Sequence, residues 1–399
     1  VRVLVPDAVF TGSGVAHHGW AVAIDGSRIA AAGPIAAMPE GERLALPGTT
    51  LLPGLIDLHT HVLLYPYNIT SWDDQVLRES EALRVARATT ALRDTLHAGF
   101  TTIRDLGTEG ARDADAGLRD AVVQGVIPGP RMVVVTRAII ATGSYGPKGF
   151  SPDCCVPQGA QEADGIDELT RVVREQIRRG ADWIKVYADY RWGRGGETKP
   201  TFTYDELALI VEIAESSGRH VAAHASTPEA ITRATRAGVK TIEHGNDGTP
   251  EVFALMREHG VALCPTIAAM DSITRYRGWD GELPEPDFLV RKRASVAAAI
   301  ASGVTIANGS DVGVFAHGEN ALELELLVKY GLTPQAALEA ATSVAAHVLE
   351  AGHDLGTLAA GAIADLVAVD GDPLRDIGAM RQVRMVMQGG DIVRHEVAA

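Results

Sequence analysis

The chain has too few cysteines for a disulfide framework, with three in 399 residues. Cys154 and Cys155 are adjacent in a Pro/Gly-rich stretch, and Cys264 closes an apolar run. Neither Cys-x-x-Cys nor Cys-x-His spacing occurs, which sets cysteine aside as a metal ligand. No apolar run approaches the roughly 20 residues that a membrane-spanning helix needs, so no membrane role is expected. Basic charge is also scarce: 36 Lys and Arg against 51 Asp and Glu give a formal net charge of −15. A phosphate-binding surface requires clustered cations, so nucleic acid is not an expected partner, and the acidity reads as a solubility feature. Internal repeats and low-complexity tracts are missing. So is the Gly-x-Gly-x-x-Gly loop that would follow the first strand of a dinucleotide-binding sheet. No leader pattern opens the chain at Val1. Localisation is left between the cytoplasm and, if a leader preceded Val1, the periplasm or the outside of the cell.

What is present is a hydrophobic fraction of 46%, enough for a substantial core, on a length that suits a large barrel with an appendage. Residues 1–55 read as short strands over Val1–Val5, Trp20–Ile24, Arg28–Ala32 and Thr49–Leu52. Apolar strands then alternate with helical stretches up to about residue 350. The expected strands are Leu52–Leu58, Phe100–Asp105, Arg131–Val135, Trp183–Ala188, His220–His224, Lys240–Glu243, Val261–Cys264 and Val304–Asn308. The intervening amphipathic segments include Glu79–His97, Ile166–Arg179, Asp205–Ser216 and Asp287–Ala301. Eight strand–helix units predict an α/β fold, a (β/α)8 TIM barrel over 56–350. Strands return over Ala364–Val369, Val383–Gln388 and Asp391–His395. They are expected to join residues 1–55 in a small composite β-sandwich domain, 1–55 plus 351–399.

The most informative segment is Leu52-Pro-Gly-Leu-Ile-Asp-Leu-His-Thr-His61. Alternate residues of a strand share a face, so His59 and His61 point the same way and form half of a zinc-type site. Downstream, Lys185, His224, His244 and Asp311 each sit in or just after an expected strand. In a parallel barrel all strand C-termini open onto one face, where these residues would converge. Taken singly, His224 or His244 reads best as a hydrogen-bonded core histidine, and Asp311 as a helix N-cap before Val312. Six such positions at strand ends are hard to explain as separate accidents. Lys185 lies inside the apolar Trp183-Ile-Lys-Val-Tyr187, where a bare ammonium is stripped of water at high cost. Carboxylation by carbon dioxide would convert it to a carbamate anion with two oxygens, able to bridge two metal ions.

These segments, together with Ala223-His224, Ile242-Glu-His244-Gly245 and Gly309-Ser-Asp311, resemble the metal-dependent amidohydrolase superfamily over nearly the whole chain. The stretch Gly356-Thr-Leu-Ala-Ala-Gly-Ala-Ile-Ala-Asp-Leu-Val367 looks like that family's return to its β-domain. Glu162-Ala-Asp-Gly165 and His317-Gly-Glu-Asn-Ala-Leu-Glu-Leu324 extend the likeness to the imidazolonepropionase-related branch. That branch contains Xaa-Pro dipeptidases, arginine carboxypeptidase-like enzymes and ochratoxin-cleaving amidohydrolases. The resemblance implies two divalent metals, usually Zn2+. His59, His61 and Asp311 would hold one, His224 and His244 the other, with N6-carboxylated Lys185 bridging. It also implies a homo-oligomer, with assemblies as large as octamers. One departure stands out: where the branch often has Gly-Gly-His after the third strand, this chain has Thr142-Gly-Ser-Tyr145-Gly146. Tyr145 is either a substitute hydrogen-bond donor to the substrate carbonyl or a residue packing in the loop.

The expected reaction is cleavage of an amide or peptide bond to release a C-terminal amino acid. The enzyme would then be a dipeptidase, a carboxypeptidase or an N-acyl amino acid hydrolase, with ochratoxin A among the candidate substrates. A metal-bound hydroxide would attack while Asp311 shuttles the proton. Tyr187, Tyr190, Arg191 and Arg194 cluster at the end of the fourth strand, where an arginine would clamp a substrate carboxylate or simply sit on the surface. His317 either lines the pocket or anchors its loop. Competing readings are a one-metal deaminase or imidazolonepropionase-like ring hydrolase, a lactonase, and a catalytically inactive binding protein on the same fold.

Overall fold

The computed structural model describes residues 1–151 and 153–396. Seven parallel strands make most of the central ring: β1 (Leu55–Thr60), β2 (Phe100–Asp105), β3 (Arg131–Val134), β4 (Ile184–Tyr187), β5 (Val221–Ala225), β6 (Thr241–His244) and β7 (Ala262–Cys264). Consecutive strands pair in parallel from β1 to β3 and from β4 to β7. Between β3 and β4, the Val134 carbonyl accepts the Asp182 N–H at 2.8 Å, and Ile139 pairs with Val186. An eighth segment, residues 304–308, closes the ring. Ile306 bridges Leu263 of β7, the Leu58 N–H donates to the Asn308 carbonyl at 3.0 Å, and Thr60 bridges Val312.

These strands read as near-continuous apolar runs because helices cover their outer faces. The helices begin and end where local chemistry dictates. Thr203 and Glu206 form a reciprocal capping box at the start of Tyr204–Glu215. Pro228 opens Pro228–Ala237 behind an N-capping Thr227, and Gly238 closes it with left-handed backbone, as the capping rules anticipate.

The terminal regions share one eight-stranded sheet. Leu366–Asp370 lies antiparallel to Glu42–Pro53, which lies parallel to Arg2–Val9; Val383–Gln388 and Asp391–His395 extend one side. Leu4, Val22 and Ile29 from its N-terminal half pack in one core with Leu366, Met385 and Met387 from its C-terminal half.

Three expectations need correction. The strand expected over Leu52–Leu58 is two elements: residues up to Pro53 belong to the outer sheet, and β1 begins at Leu55. Gly54 makes the break, donating its N–H to the Asp365 carbonyl at 2.8 Å in a position where any Cβ would collide with Thr101. The helix expected over Glu79–His97 begins at Glu81, with Ser80 as N-cap, behind a separate helix Trp72–Leu77. The eighth segment joins its neighbours through bridges rather than a regular strand.

Candidate active site

At the C-terminal end of the ring, β1 presents His59 and His61 side by side, ring centroids 5.3 Å apart. The Asp311 carboxylate lies between their free nitrogens, 3.4 Å from His61 Nε2 and 3.7 Å from His59 Nε2. His244, at the end of β6, stands 5.0 Å from His59 and 4.4 Å from His224, centroid to centroid. Ligating atoms of His59, His244 and Asp311 fall within 4.8 Å of one another. This tight group draws from both of the expected ligand sets, so the two sets meet at one centre.

Three of the four histidines have their other nitrogen engaged, which fixes their rings. His59 Nδ1 is 2.8 Å from Glu243 Oε2, His61 Nδ1 2.8 Å from the Gly107 carbonyl, and His244 Nδ1 2.7 Å from Thr266 Oγ1. Glu243 in turn accepts from Arg104 Nη2 at 2.9 Å inside the barrel, both side chains fully buried. Burial holds His59 and His244 well below the usual imidazole range and brings His224 down to about 3. Neutral imidazole is the form that binds metal. Burial also raises Asp311 well above the ordinary carboxylate value, against the pull of Lys185.

The backbone is strained where these groups are held. His244 (φ 74°), Thr266 (52°) and Asp311 (61°) all occupy the left-handed region, at a cost of about 1–3 kcal/mol each. Compensating contacts are visible. Thr266 stands at the N-cap of Ile267–Tyr276 but makes no side-chain cap; its hydroxyl serves His244 instead. Glu323 supplies the missing cap, accepting the N–H groups of Ile267 (3.0 Å) and Ala268 (2.7 Å). Buried Lys292 donates to the carbonyl of His244 at 2.5 Å, to Asn246 Oδ1 at 2.9 Å and to the Pro265 carbonyl. Asp57 ties β1 to the loop before Asp311, accepting from Ser310 N at 3.0 Å and Asn320 Nδ2 at 2.8 Å.

Lys185 faces this centre from β4. It is 1% exposed, and its Nζ has no hydrogen-bond partner among the described residues. A buried polar atom left unpaired is costly. Burial lowers its pKa to about 8, so a fraction is neutral amine near physiological pH. The donor set fits divalent metals: neutral imidazoles, a carboxylate and an orphaned amine open to carboxylation, with ring nitrogens fixed from behind.

The walls differ in character. Tyr190, Arg191, His224, Asn246, Arg277 and Arg291 line a cavity of about 440 Å3. Behind this lining, Tyr187 stacks on His224 with centroids 4.6 Å apart and meets Tyr145 at 4.8 Å. The Tyr145 hydroxyl donates to Glu109 Oε2 at 2.5 Å, so its proton is committed to that carboxylate. His317 packs beside the backbone of His61 and Leu64. Exposed Arg194 does not line the cavity. Glu109, Glu243, Arg277 and Lys292 were not singled out from sequence. The one available signal was their position on or just beyond β2 and β6 and on the helices behind them.

The ring with its converging histidines and aspartate, taken with the proteins it matches, defines a hydrolase that acts on amide bonds. The chain belongs to the amidohydrolase family, whose model matches residues 50–393. It is 30% identical over 432 residues to an ochratoxinase of Aspergillus niger, covering 99% of this chain and 87% of that one. That enzyme's solved structure superposes with a TM-score of 0.85. A Xaa-Pro dipeptidase solved with methionine in its active site gives a TM-score of 0.87 at 29% identity, covering 98% of this chain and 99% of that one. An imidazolonepropionase of Deinococcus radiodurans is 24% identical over 385 residues, 90% of this chain and 87% of its own length.

Proposed function

We propose that this protein is a binuclear metal-dependent amidohydrolase that cleaves an amide or peptide bond and releases a C-terminal amino acid. The observation that carries this reading is Lys185, a buried amine with no partner, facing four histidines and an aspartate. Structural lysines are paired or solvated; one left bare here is explained when carbon dioxide adds to its neutral amine, giving a carbamate and a released proton. The carbamate would bridge two ions, Zn2+ in this reading, with His59, His61 and Asp311 to hold one and His224 and His244 the other.

Two divalent ions held there would lower the pKa of a shared water and polarise the scissile carbonyl. Asp311 takes the water's proton and passes it to the leaving nitrogen, which departs as an amine rather than an amide anion. Glu243, Gly107 and Thr266 keep the imidazole nitrogens aimed inward. Arg291 is paired with Asp247 at 3.0 Å, which leaves Arg191 and Arg277 in the cavity to receive the substrate's carboxylate in a charge-assisted pair. Tyr187 and Tyr190 offer aromatic faces beside it. The likeness to an ochratoxinase and a Xaa-Pro dipeptidase supports amides whose product is a free amino acid, including N-acyl-phenylalanines of the ochratoxin type.

The test is a library of dipeptides and N-acyl amino acids given to zinc-loaded protein, with bound metal counted in parallel. Release of a free amino acid by a chain holding near two metals is the expected result. Near one metal, with ring opening or deamination instead, would overturn it.

A further inference from the structure

Glu109 is the group at this site that the proposed reaction does not use. It sits just beyond β2, 3% exposed, with left-handed backbone (φ 48°). Arg84 braces that backbone, donating to the carbonyls of Thr108 and Glu109 at 2.8 Å and of Leu63 at 3.0 Å. The carboxylate is shared among three aromatic donors. Oε2 accepts from Trp72 Nε1 at 2.8 Å and from the Tyr145 hydroxyl at 2.5 Å, and Oε1 accepts from the Tyr187 hydroxyl at 3.2 Å.

This arrangement sets the polarity of the wall. A tyrosine hydroxyl has one proton to give, and a carboxylate has about four acceptor positions. Both tyrosine protons are committed to Glu109, so their oxygens are left as acceptors, and one acceptor position on Oε1 stays open. That oxygen and the His61 ring flank Gly107: a methyl there would stand 3.7 Å from Oε1 and 3.8 Å from both His61 Cε1 and Ala138 Cβ. The Glu109 carboxylate, these acceptor oxygens and the neighbouring rings of Trp72, Tyr145 and Tyr190 together suit a cation. Arg191 and Arg277, which line the adjoining cavity, suit an anion.

We infer that Glu109, with the oxygens of Tyr145 and Tyr187, binds the free α-ammonium group of the substrate, so that the preferred class is the unblocked dipeptide rather than the N-acyl amino acid. This rests on the proposed amide hydrolysis and narrows its substrate. Glu109 is here a specificity residue, and it takes no proton from the reacting atoms.

The experiment separates binding from cleavage. The binding probes are ketomethylene isosteres of L-Ala-L-Phe and of its desamino counterpart propionyl-L-Phe, in which CH2 replaces the scissile NH. Both are titrated calorimetrically into the zinc-loaded enzyme. The isostere that carries the ammonium should bind about tenfold tighter or better, the scale of a charge-assisted hydrogen bond. Glu109→Gln should erase that difference, because its amide carries no charge and puts an NH2 donor in place of one acceptor oxygen. If that variant fails to fold, Tyr145→Phe, which removes one acceptor oxygen, should still shrink the preference. Equal binding of the two isosteres, or a preference that survives Glu109→Gln, overturns the inference. Turnover of L-Ala-L-Phe and propionyl-L-Phe reads the parent proposal separately. Cleavage of both at equal rates sinks only the ammonium site, and cleavage of neither, with the binding preference intact, sinks only the amide hydrolysis.

Discussion

Glu243 Oε2 lies 2.8 Å from Nδ1 of His59, reaching from β6 across the ring to β1. A carboxylate behind a ligating imidazole fixes the tautomer and makes the outward nitrogen a better donor. Arg104, on the same carboxylate at 2.9 Å, keeps Glu243 from being an uncompensated buried charge.

Glu243→Gln therefore lowers metal affinity by about 10–100-fold, the usual effect of losing such a partner. It also destabilises the fold by up to about 3–5 kcal/mol, because Arg104 loses its counter-charge. Chelator competition reads the first effect and urea unfolding of the metal-free protein the second.

Lys185→Ala abolishes turnover and reduces bound metal while the chain still folds, since a small apolar residue replaces an unpaired amine. Short carboxylic acids added to the variant restore part of the activity by supplying the missing bridge. Metal analysis and assays with and without formate or acetate check both. Wild-type metal content in the variant would end the bridging role.

Asp311→Asn keeps more metal than His59→Ala does but loses most of the rate. The amide retains an oxygen donor and cannot carry the proton. Single-turnover rates measured beside metal content distinguish the two variants.

A pH effect on folding follows from Asp115, away from the metal-binding residues. Its carboxylate accepts the N–H groups of Ala116 and Thr136 at 2.8 Å each, yet burial pushes it up to about 7 from 3.8. Between about pH 4 and 7 the folded chain keeps a proton that the unfolded chain has released, so this contribution to stability is full below that window and lost as pH rises through it. Asp115→Asn removes the titration. Its unfolding free energy should change less than the wild type's between about pH 5 and pH 8, measured by urea titration.

The parts legible in the sequence were those with local signatures. β2 lies where its apolar run placed it, over Phe100–Asp105, and the helix after Pro286 spans Asp287–Ser302 against an expected Asp287–Ala301. The histidine pair, the lysine in an apolar strand and the aspartate after the last segment were visible because each violates its local pattern. Gly54 was not legible as a break, because the neighbours that demand it, Thr101 and Asp365, come from β2 and from the C-terminal region. Glu109 was hidden for the same reason: its three donors lie on a helix, a loop and β4, and nothing near it in sequence marks it.

Thr266 and Glu323 exchange duties: the threonine leaves its helix to hold His244, and a glutamate 57 positions later caps the helix in its place. For anyone transplanting this candidate metal centre into another barrel, the proposed ligands alone are an incomplete graft. Glu323 has to travel with them, together with the helix Ala321–Lys329 that carries it, or the recipient's threonine returns to its cap and the imidazole swings free.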